Sequence, residues 1–370
     1  MTLPTDYVPH PDVASAATMP ARWYVDPTFG PLERERIFGR TWLYVGHAEQ
    51  LPGPGSFFTA EVAGEPLVVL RDEDGAVRAM SNVCRHRART VAEGAGRCKV
   101  LQCKYHGFSY ALDGRLLAAP DFEGAKDWRR EDFTLPPVRL EAWGPLLFVN
   151  LDAGAPGLLA QLGEAPAEIA AQGVPFEAMR FVAERTYRVG CNWKVFVDNY
   201  QEGYHVPVAH PGLLTELDYK RYAIAPRAYT TLQHAPIRQG EGDDRRYDTS
   251  ASLQEALYYW LFPTFMVNVY PDNMDVNWVV PLSPSETLVG IAWFATDPEA
   301  FRPTFEARGL AFSEQVQHED MAICESVQRG LGSRFYGQGR FSPKQEPAVH
   351  RFHQLVHAFL TQTGPGYPAV

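Results

Sequence analysis

Between about residues 55 and 150 the chain is written in short runs that are apolar or alternate apolar with polar: SFFTAEV, PLVVLRD, AVRAMSNV, KVLQCKY, FSYAL, VRLEAW and LLFVNLD. Turn signals such as GEP, EDGA and LDGR separate them. Period-two alternation bounded by Gly and Asp marks half-buried strands, so the region predicts a small all-β domain. Before it, PTFGPLERERIFGRTWLYVGH opens with Pro and Gly and then spaces Leu32, Ile37 and Phe38 as a helix does. After it, the Ala- and Glu-rich LLAQLGEAPAEIAAQ reads as a helix or linker. RFVAERTYRVGCNWKVFVDNYQEGYH starts as a strand and turns helical around Trp193, Phe196, Val197 and Tyr200. Long β-type runs follow in YAIAPRAYTTLQHAPI, TFMVNVYPDNMDVNWVVPL and ETLVGIAWFAT, then helical stretches over about 298–331 and 344–362. The second part predicts one antiparallel sheet with helices packed on it, so the whole is α+β. The expected division is an arm and helix over 1–45 that pack on the larger domain, a β domain over 46–155, and the larger domain over 156–370.

Composition narrows the function classes. The 370 residues are 45% hydrophobic and 12% aromatic, ample for packed cores. The formal charge of −10, with no basic patch or tail, argues against nucleic acid and anionic membrane as partners. No apolar run approaches the roughly 18 residues a spanning helix needs. The N-terminal stretch lacks a basic segment followed by an apolar one, so it does not read as a secretory signal. Five cysteines, at 84, 98, 103, 191 and 324, are an odd number in a long chain, which fits a reducing cytoplasm better than a disulfide framework.

Two of those cysteines have a sharper reading. CRHRART and CKYHGFSY place Cys84 and His86, then Cys103 and His106, in two loops between strands. Cys₂His₂ is a structural zinc set, but classical fingers keep Cys with Cys and His with His. Here each loop carries one of each, which suits a two-iron cluster whose irons take the thiolates and the imidazoles separately. Neutral imidazoles in place of two thiolates raise the reduction potential, and Arg85, Arg87 and Lys104 favour the reduced form. Cys98 lies outside both loops and reads as structural.

A second constellation lies in QEGYHVPVAH, Gln201 to His210. On an unbroken helix, residues five apart point about 140° apart, so His205 and His210 cannot share a ligand there. Pro207 disfavours helical geometry at Val206, which predicts that the helix ends near His205 and that an extended segment brings His210 back. Convergence on a metal is then open but not proved. A 2-His-1-carboxylate iron site needs an anionic third ligand. In FSEQVQHEDMAICESVQRGL, Phe312, Val316, Ile323, Val327 and Leu331 form an apolar stripe with Asp320 on it, and a buried carboxylate is costly unless paired or coordinated. Glu319 and Glu325 fall off that line, and His318 reads as solvent-facing. His350, His353 and His357 share a helix face, but no cysteine or well-placed carboxylate completes a site there.

The Cys/His pattern resembles the Rieske 2Fe–2S motif as it occurs in the oxygenase components of Rieske non-haem iron oxygenases. NWKVFVDNYQEGYHVPVAH is similar to that family's N-W-K…E/D-x-x-H-x₄-H segment, and EDMAICESVQRGL to the region supplying its ligand Asp. The likeness covers nearly the whole chain and is nearest to the choline, betaine and carnitine monooxygenase-like branch. It implies a Rieske domain with Cys84, His86, Cys103 and His106 on the 2Fe–2S cluster. It also implies a helix-grip catalytic domain with His205, His210 and Asp320 on a mononuclear Fe(II). Glu202 takes the place of the carboxylate that links an iron ligand to a cluster ligand of the neighbouring subunit, and Asn199 that of a nearby amide. The implied assembly is a homotrimer using O₂ and a small-molecule substrate, which is hydroxylated or N-demethylated and, on this branch, is a quaternary ammonium compound.

No G-x-G-x-x-G follows a strand, so electrons are expected from a separate NAD(P)H-dependent reductase, directly or through a ferredoxin. Two alternatives stand beside this reading: an aromatic-ring hydroxylating dioxygenase or monooxygenase, and a non-catalytic Rieske electron carrier. The aromatic run YYWLFPTFMVNVY, with Trp278 and Trp293, reads first as sheet core and second as a pocket wall, either a cation cage or a flat apolar slot.

Overall fold

A computed structural model describes residues 4–238, 255–270, 272–362 and 366–368. The chain forms two compact units, Phe38–Ala155 and the combination of Met1–Ile37 with Pro156–Val370. The β-rich unit therefore begins at Phe38 rather than at 46. The cause is the strand Leu43–His47, which closely follows the helical stretch and is hydrogen-bonded to Leu146–Asn150.

In that unit a seven-stranded sheet runs in the order Leu43–His47, Leu146–Asn150, Pro137–Trp143, Val77–Ser81, Glu65–Arg71, Ser56–Val62 and Ala95–Arg97. A smaller sheet joins Leu101–Gln102, Ser109–Tyr110 and Leu116–Ala118. The strand Glu65–Arg71 is buried on both faces, because successive side chains point to opposite sides. Leu67 and Val69 enter one apolar cluster with Phe58 and Val149. Val68 and Leu70 enter another with Cys84, Leu101, Cys103, Phe108 and Tyr110. The run KVLQCKY forms only the two-residue strand Leu101–Gln102, since the chain turns from Cys103 onward.

The other unit is built on an antiparallel sheet ordered Arg180–Val189, Glu286–Ala295, Asn273–Ser283, Phe265–Val269, Glu255–Leu261, Thr230–Pro236 and Ala223–Pro226. The single run read over 264–282 is two paired strands, and the aromatic run before it includes the strand Glu255–Leu261. Trp278 lies flat on its cross-strand partner Gly290, where a Cβ would stand 2.0 Å from the ring, so only glycine admits that approach. Trp260 meets Phe352 edge to face at 5.5 Å and Phe262 stacks on Phe359 at 4.7 Å, docking the helix Pro347–Thr361. The helix Trp193–Tyr200 starts at Asn192, whose side chain accepts the Lys194 N–H at 3.1 Å. It packs against the strand Asn273–Ser283 and the helix Leu310–Leu331. Beneath it, Glu33 accepts from both the buried Lys194 ammonium and the Trp193 indole. No described helix is long and apolar enough to cross a membrane.

Candidate active site

The helix carrying Asn199 ends at Tyr200, the last residue of its apolar spacing and before the end near His205 that Pro207 predicted. His205 and His210 then flank a single new helical turn, Val206–Ala209. This corrects the expected extended return. Pro207 sits in the first turn of that short helix, where no backbone N–H is required. The turn breaks at His210, whose φ of −122° and ψ of 69° are not helical. That break lets the two rings meet with centroids 5.0 Å apart.

Each imidazole is held from behind by a carboxylate. Glu202 Oε1 lies 2.6 Å from His205 Nδ1, and Glu202 Oε2 accepts the backbone N–H groups of Tyr204 and, at 3.1 Å, His205. Glu319 Oε2 lies 2.7 Å from His210 Nδ1, and Gln315 donates to Glu319 Oε1 at 2.9 Å. Both Nε2 atoms therefore face forward. Asp320 Oδ1 stands 3.0 Å from His210 Nε2 and 3.6 Å from His205 Nε2, and it accepts from Asn199 Nδ2 at 2.6 Å. The three potential ligand atoms lie within 4.8 Å of one another. Ligands about 2.1 Å from one ion and at right angles stand roughly 3 Å apart, so this donor set fits a facial 2-His-1-carboxylate metal. Burial alone would lower the His210 pKa. The Asp320 and Glu319 carboxylates outweigh it and hold that pKa above the ordinary imidazole value.

Glu319 is the residue the sequence reading passed over. The buried positions of its helix are Gln317, Cys324 and Leu331, a line turned from the apolar stripe read in the sequence, and Val327 is 44% exposed. Asp320 lies on the flank facing the histidines. Its neighbour Glu319 is rotated by about 100° yet is long enough to reach the far side of the His210 ring. An acid directly preceding the candidate ligand was the available signal. His318 is exposed, as read, with its ring against Tyr187.

The three groups open into a cavity walled by the helices and by one cross-strand row of the sheet. Gln233, Tyr258, Asn268 and Asp275 are in register on four successive strands, and all line the cavity with Tyr200, Tyr222 and Tyr270. Thus Tyr258 and Tyr270 are wall residues, whereas Trp260, Phe265 and Trp293 are buried in the sheet core. Tyr200 donates to Asn268 Oδ1 at 2.7 Å and Tyr222 to Gln233 Oε1 at 3.0 Å. Burial, reinforced by nearby carboxylates, raises both phenol pKa values, so both hydroxyls stay neutral donors.

In the β-rich unit the two Cys/His loops have the same backbone. The Cys84 N–H reaches the Arg89 carbonyl and the Ala88 N–H the Cys84 carbonyl, at 2.9 and 3.0 Å. The Cys103 N–H reaches the Phe108 carbonyl and the Gly107 N–H the Cys103 carbonyl, at 2.8 and 3.0 Å. The fourth residue after each cysteine is left-handed, Ala88 at φ 58° and Gly107 at φ 77°. Cys84 and Cys103 are buried at 3% and 2%, while His86 is half-buried and His106 exposed, with ring centroids 4.6 Å apart. Tyr110 OH lies 3.3 Å from Cys84 Sγ. Two shielded thiols behind two more accessible imidazoles fit a cluster that exchanges electrons through its histidine side. Cys98 belongs to neither loop and packs against the same apolar cluster.

The histidines of the last helix serve packing. His353 accepts the Met19 N–H on Nδ1 at 3.0 Å and points Nε2 at Asp198 Oδ1, 2.9 Å away. His350 Nε2 lies 2.8 Å from the His10 carbonyl, and His357 stacks on Trp23.

Comparison with known proteins follows the same division. Residues 41–129 match the Rieske [2Fe-2S] domain, and residues 176–362 match the ring hydroxylating alpha subunit (catalytic domain). The chloroplastic choline monooxygenase of Arabidopsis thaliana is 36% identical over 96% of this chain and 86% of its own length. The carnitine monooxygenase oxygenase subunit of Escherichia coli K12 is 32% identical over 96% of both chains. A solved quaternary ammonium Rieske monooxygenase, described in connection with carnitine oxidation and inter-subunit electron transfer, superposes with a TM-score of 0.84 at 29% identity, covering 97% of this chain and 100% of that one. Naphthalene 1,2-dioxygenase from Rhodococcus, at 19% identity over 92% of this chain and 93% of that one, shares the fold with a TM-score of 0.77.

Proposed function

Because the chain belongs to the Rieske non-haem iron oxygenases as a catalytic alpha subunit, we propose that it is a monooxygenase of small quaternary ammonium compounds, supplied with electrons by a separate reductase. Like its family it carries a Rieske 2Fe–2S cluster and a mononuclear iron. The assignment of residues is ours: Cys84, His86, Cys103 and His106 hold the cluster, and His205, His210 and Asp320 hold the iron. The observation that carries the reading is the convergence of those last three ligand atoms in a cavity lined by four tyrosines, since tyrosine faces attract a quaternary ammonium group.

When bound, the cluster and the iron together supply one-electron and oxygen chemistry. The chain's own residues do the rest. Glu202 and Glu319 fix the two imidazoles with Nε2 forward. Asn199 restrains the Asp320 carboxylate. The tyrosine rings exclude water from the substrate and present π faces to it. Glu202 also stands where the resemblance places a link to the neighbouring subunit's cluster, so we propose a homotrimer in which Glu202→Gln slows electron transfer per bound iron beyond any loss of mononuclear iron.

The test is iron stoichiometry with turnover. Asp320→Ala is expected to drop the protein from three irons per chain to two, abolish oxygen-dependent turnover and leave the cluster's visible spectrum intact. Two irons in the wild type would identify an electron carrier instead. Oxygen uptake stimulated by aromatic acids and not by trimethylammonium compounds would overturn the substrate class.

A further inference from the structure

The residues between the helix ending at Tyr200 and the helical turn opening at Val206 carry both Glu202 and His205. Their shape therefore sets an imidazole and the carboxylate behind it. Two side chains of the strand Thr230–Pro236 fasten this segment to the sheet. Thr231 and Gln233 are two residues apart and so share a face. The Thr231 hydroxyl donates to Gln201 Oε1 at 2.6 Å, and Gln233 Nε2 donates to the Tyr200 carbonyl at 2.6 Å. Gln201, Thr231 and Gln233 are all buried. A carbonyl only accepts, so the Gln233 amide is turned with Nε2 toward Tyr200 and Oε1 toward Tyr222, whose hydroxyl donates to it at 3.0 Å.

Tyr222 meets the same segment a second time. Its ring covers Gly203: the three atoms nearest to a Cβ built there are all ring carbons of Tyr222, at 2.8, 2.9 and 3.2 Å. Carbon atoms ordinarily rest about 3.5–4.0 Å apart, so only a glycine lets the ring lie there. Tyr222 is itself held to the sheet. Just before it, the Asp218 N–H donates to the Pro236 carbonyl at 2.8 Å and Leu217 bridges Ile237. Its ring packs against the cluster of Leu217, Ala235, Ile237, Ala256 and Tyr270.

Building on the active-site reading above, we propose that Tyr222 is a positioning residue of the mononuclear iron site: with its ring on Gly203 and its hydroxyl on Gln233, it fixes the turn that sets Glu202 behind His205. The turn is short enough to transmit a displacement. Glu202 Oε2 accepts the Tyr204 and His205 N–H groups while Oε1 faces His205 Nδ1. Any shift of the backbone at Gly203 therefore falls inside the ring of contacts that orients the imidazole.

A double-mutant cycle tests this on the full-length protein, depleted of mononuclear iron and titrated with ferrous iron against a competing chelator. Tyr222→Phe keeps the ring and is expected to stay within about threefold of wild type. Tyr222→Ala is expected to weaken iron binding about tenfold, the lower end of what losing a supporting partner does. Gly203→Ala, which drives a methyl into the ring, should do the same. The double variant should be no weaker than Tyr222→Ala alone, because the methyl enters the space the ring left, whereas independent sites would multiply to about a hundredfold. A second readout is the electron paramagnetic resonance signal of the nitric oxide adduct of the ferrous iron, which the diamagnetic oxidised cluster does not obscure. Its rhombicity should change in both single alanine variants and stay as in wild type for Tyr222→Phe. A residue that only stabilised the fold would lower the unfolding midpoint and leave both iron readouts alone. Iron affinity within about twofold of wild type in folded Tyr222→Ala, with an unaltered signal, overturns the proposal, and so do multiplied losses in the double variant. Should the alanine variants not fold, Tyr222→Leu, which fills the space without a flat ring, decides by the same two readouts. If the wild type binds no iron beyond the cluster's own, the metal-site reading has failed instead, a result distinct from a wrong role for Tyr222.

Discussion

Glu319→Ala is the perturbation that bears most directly on the proposed metal site. Glu319 Oε2 is 2.7 Å from His210 Nδ1, its other oxygen is held by Gln315, and the His210 side chain is 1% exposed. Removing the carboxylate leaves a buried ring nitrogen without its acceptor and frees the ring to rotate about χ2. Loss of such a partner typically lowers metal affinity or activity about 10- to 100-fold, which is about 1.4–2.7 kcal/mol. Glu319→Gln keeps an acceptor at nearly the same place but loses the charge, so the expected loss lies near the lower end of that range. The assay is ferrous iron titration of protein depleted of mononuclear iron, against a competing chelator, with the cluster's visible absorption as an internal reference. Iron affinity within twofold of wild type in the alanine variant, with His210 still required, would refute the reasoning. Loss of cluster absorption would show that the substitution acts on the fold instead.

Three further outcomes test the scaffold. Glu33→Ala strips the buried Lys194 and Trp193 of their shared acceptor and should cost about 3–5 kcal/mol of unfolding free energy by denaturant titration, much of it recovered by adding Lys194→Met. Ala88→Gly relieves a left-handed alanine at the position where the sister loop has Gly107 and should stabilise the β-rich unit by about 0.5–1 kcal/mol with the cluster spectrum unchanged. Burial holds the His47 pKa at about 4, below the ordinary 6.5. The unfolded chain therefore takes up that proton first, and stability present above pH 6.5 is lost as the pH falls toward 4, by up to about 3 kcal/mol. His47→Gln should flatten the thermal midpoint over that interval, and an unaltered slope would assign the acid sensitivity elsewhere.

Much of the molecule was legible in one dimension. Strand alternation announced a β-rich region followed by a sheet with helices. The paired loops CRHR and CKYH carried their chemistry in their spacing, because identical loop geometry requires only local turns. Asp320 was singled out by a helical period, but the buried line of that helix is turned to Gln317, Cys324 and Leu331, and Asp320 meets the histidines from its flank. The misses differ in cause. The strand Leu43–His47 is fixed by its partner Leu146–Asn150 far along the chain, whereas Glu255–Leu261 forms a local hairpin with Phe265–Val269 whose turn is hidden inside one continuous aromatic run.

The residue types capable of the chemistry, and their grouping into a thiol–imidazole pair of loops and a His–His–Asp set, were thus determined by the sequence itself. Tertiary structure decided which carboxylate stands behind which imidazole. Glu202 reaches His205 across three residues, but Glu319 comes to His210 from 109 residues away. The cavity wall is likewise a row of side chains, Gln233, Tyr258, Asn268 and Asp275, that only the pairing of four strands brings together. Period and local turns are properties of a short stretch of chain, whereas the orientation of a buried polar group depends on whatever long-range packing places against it.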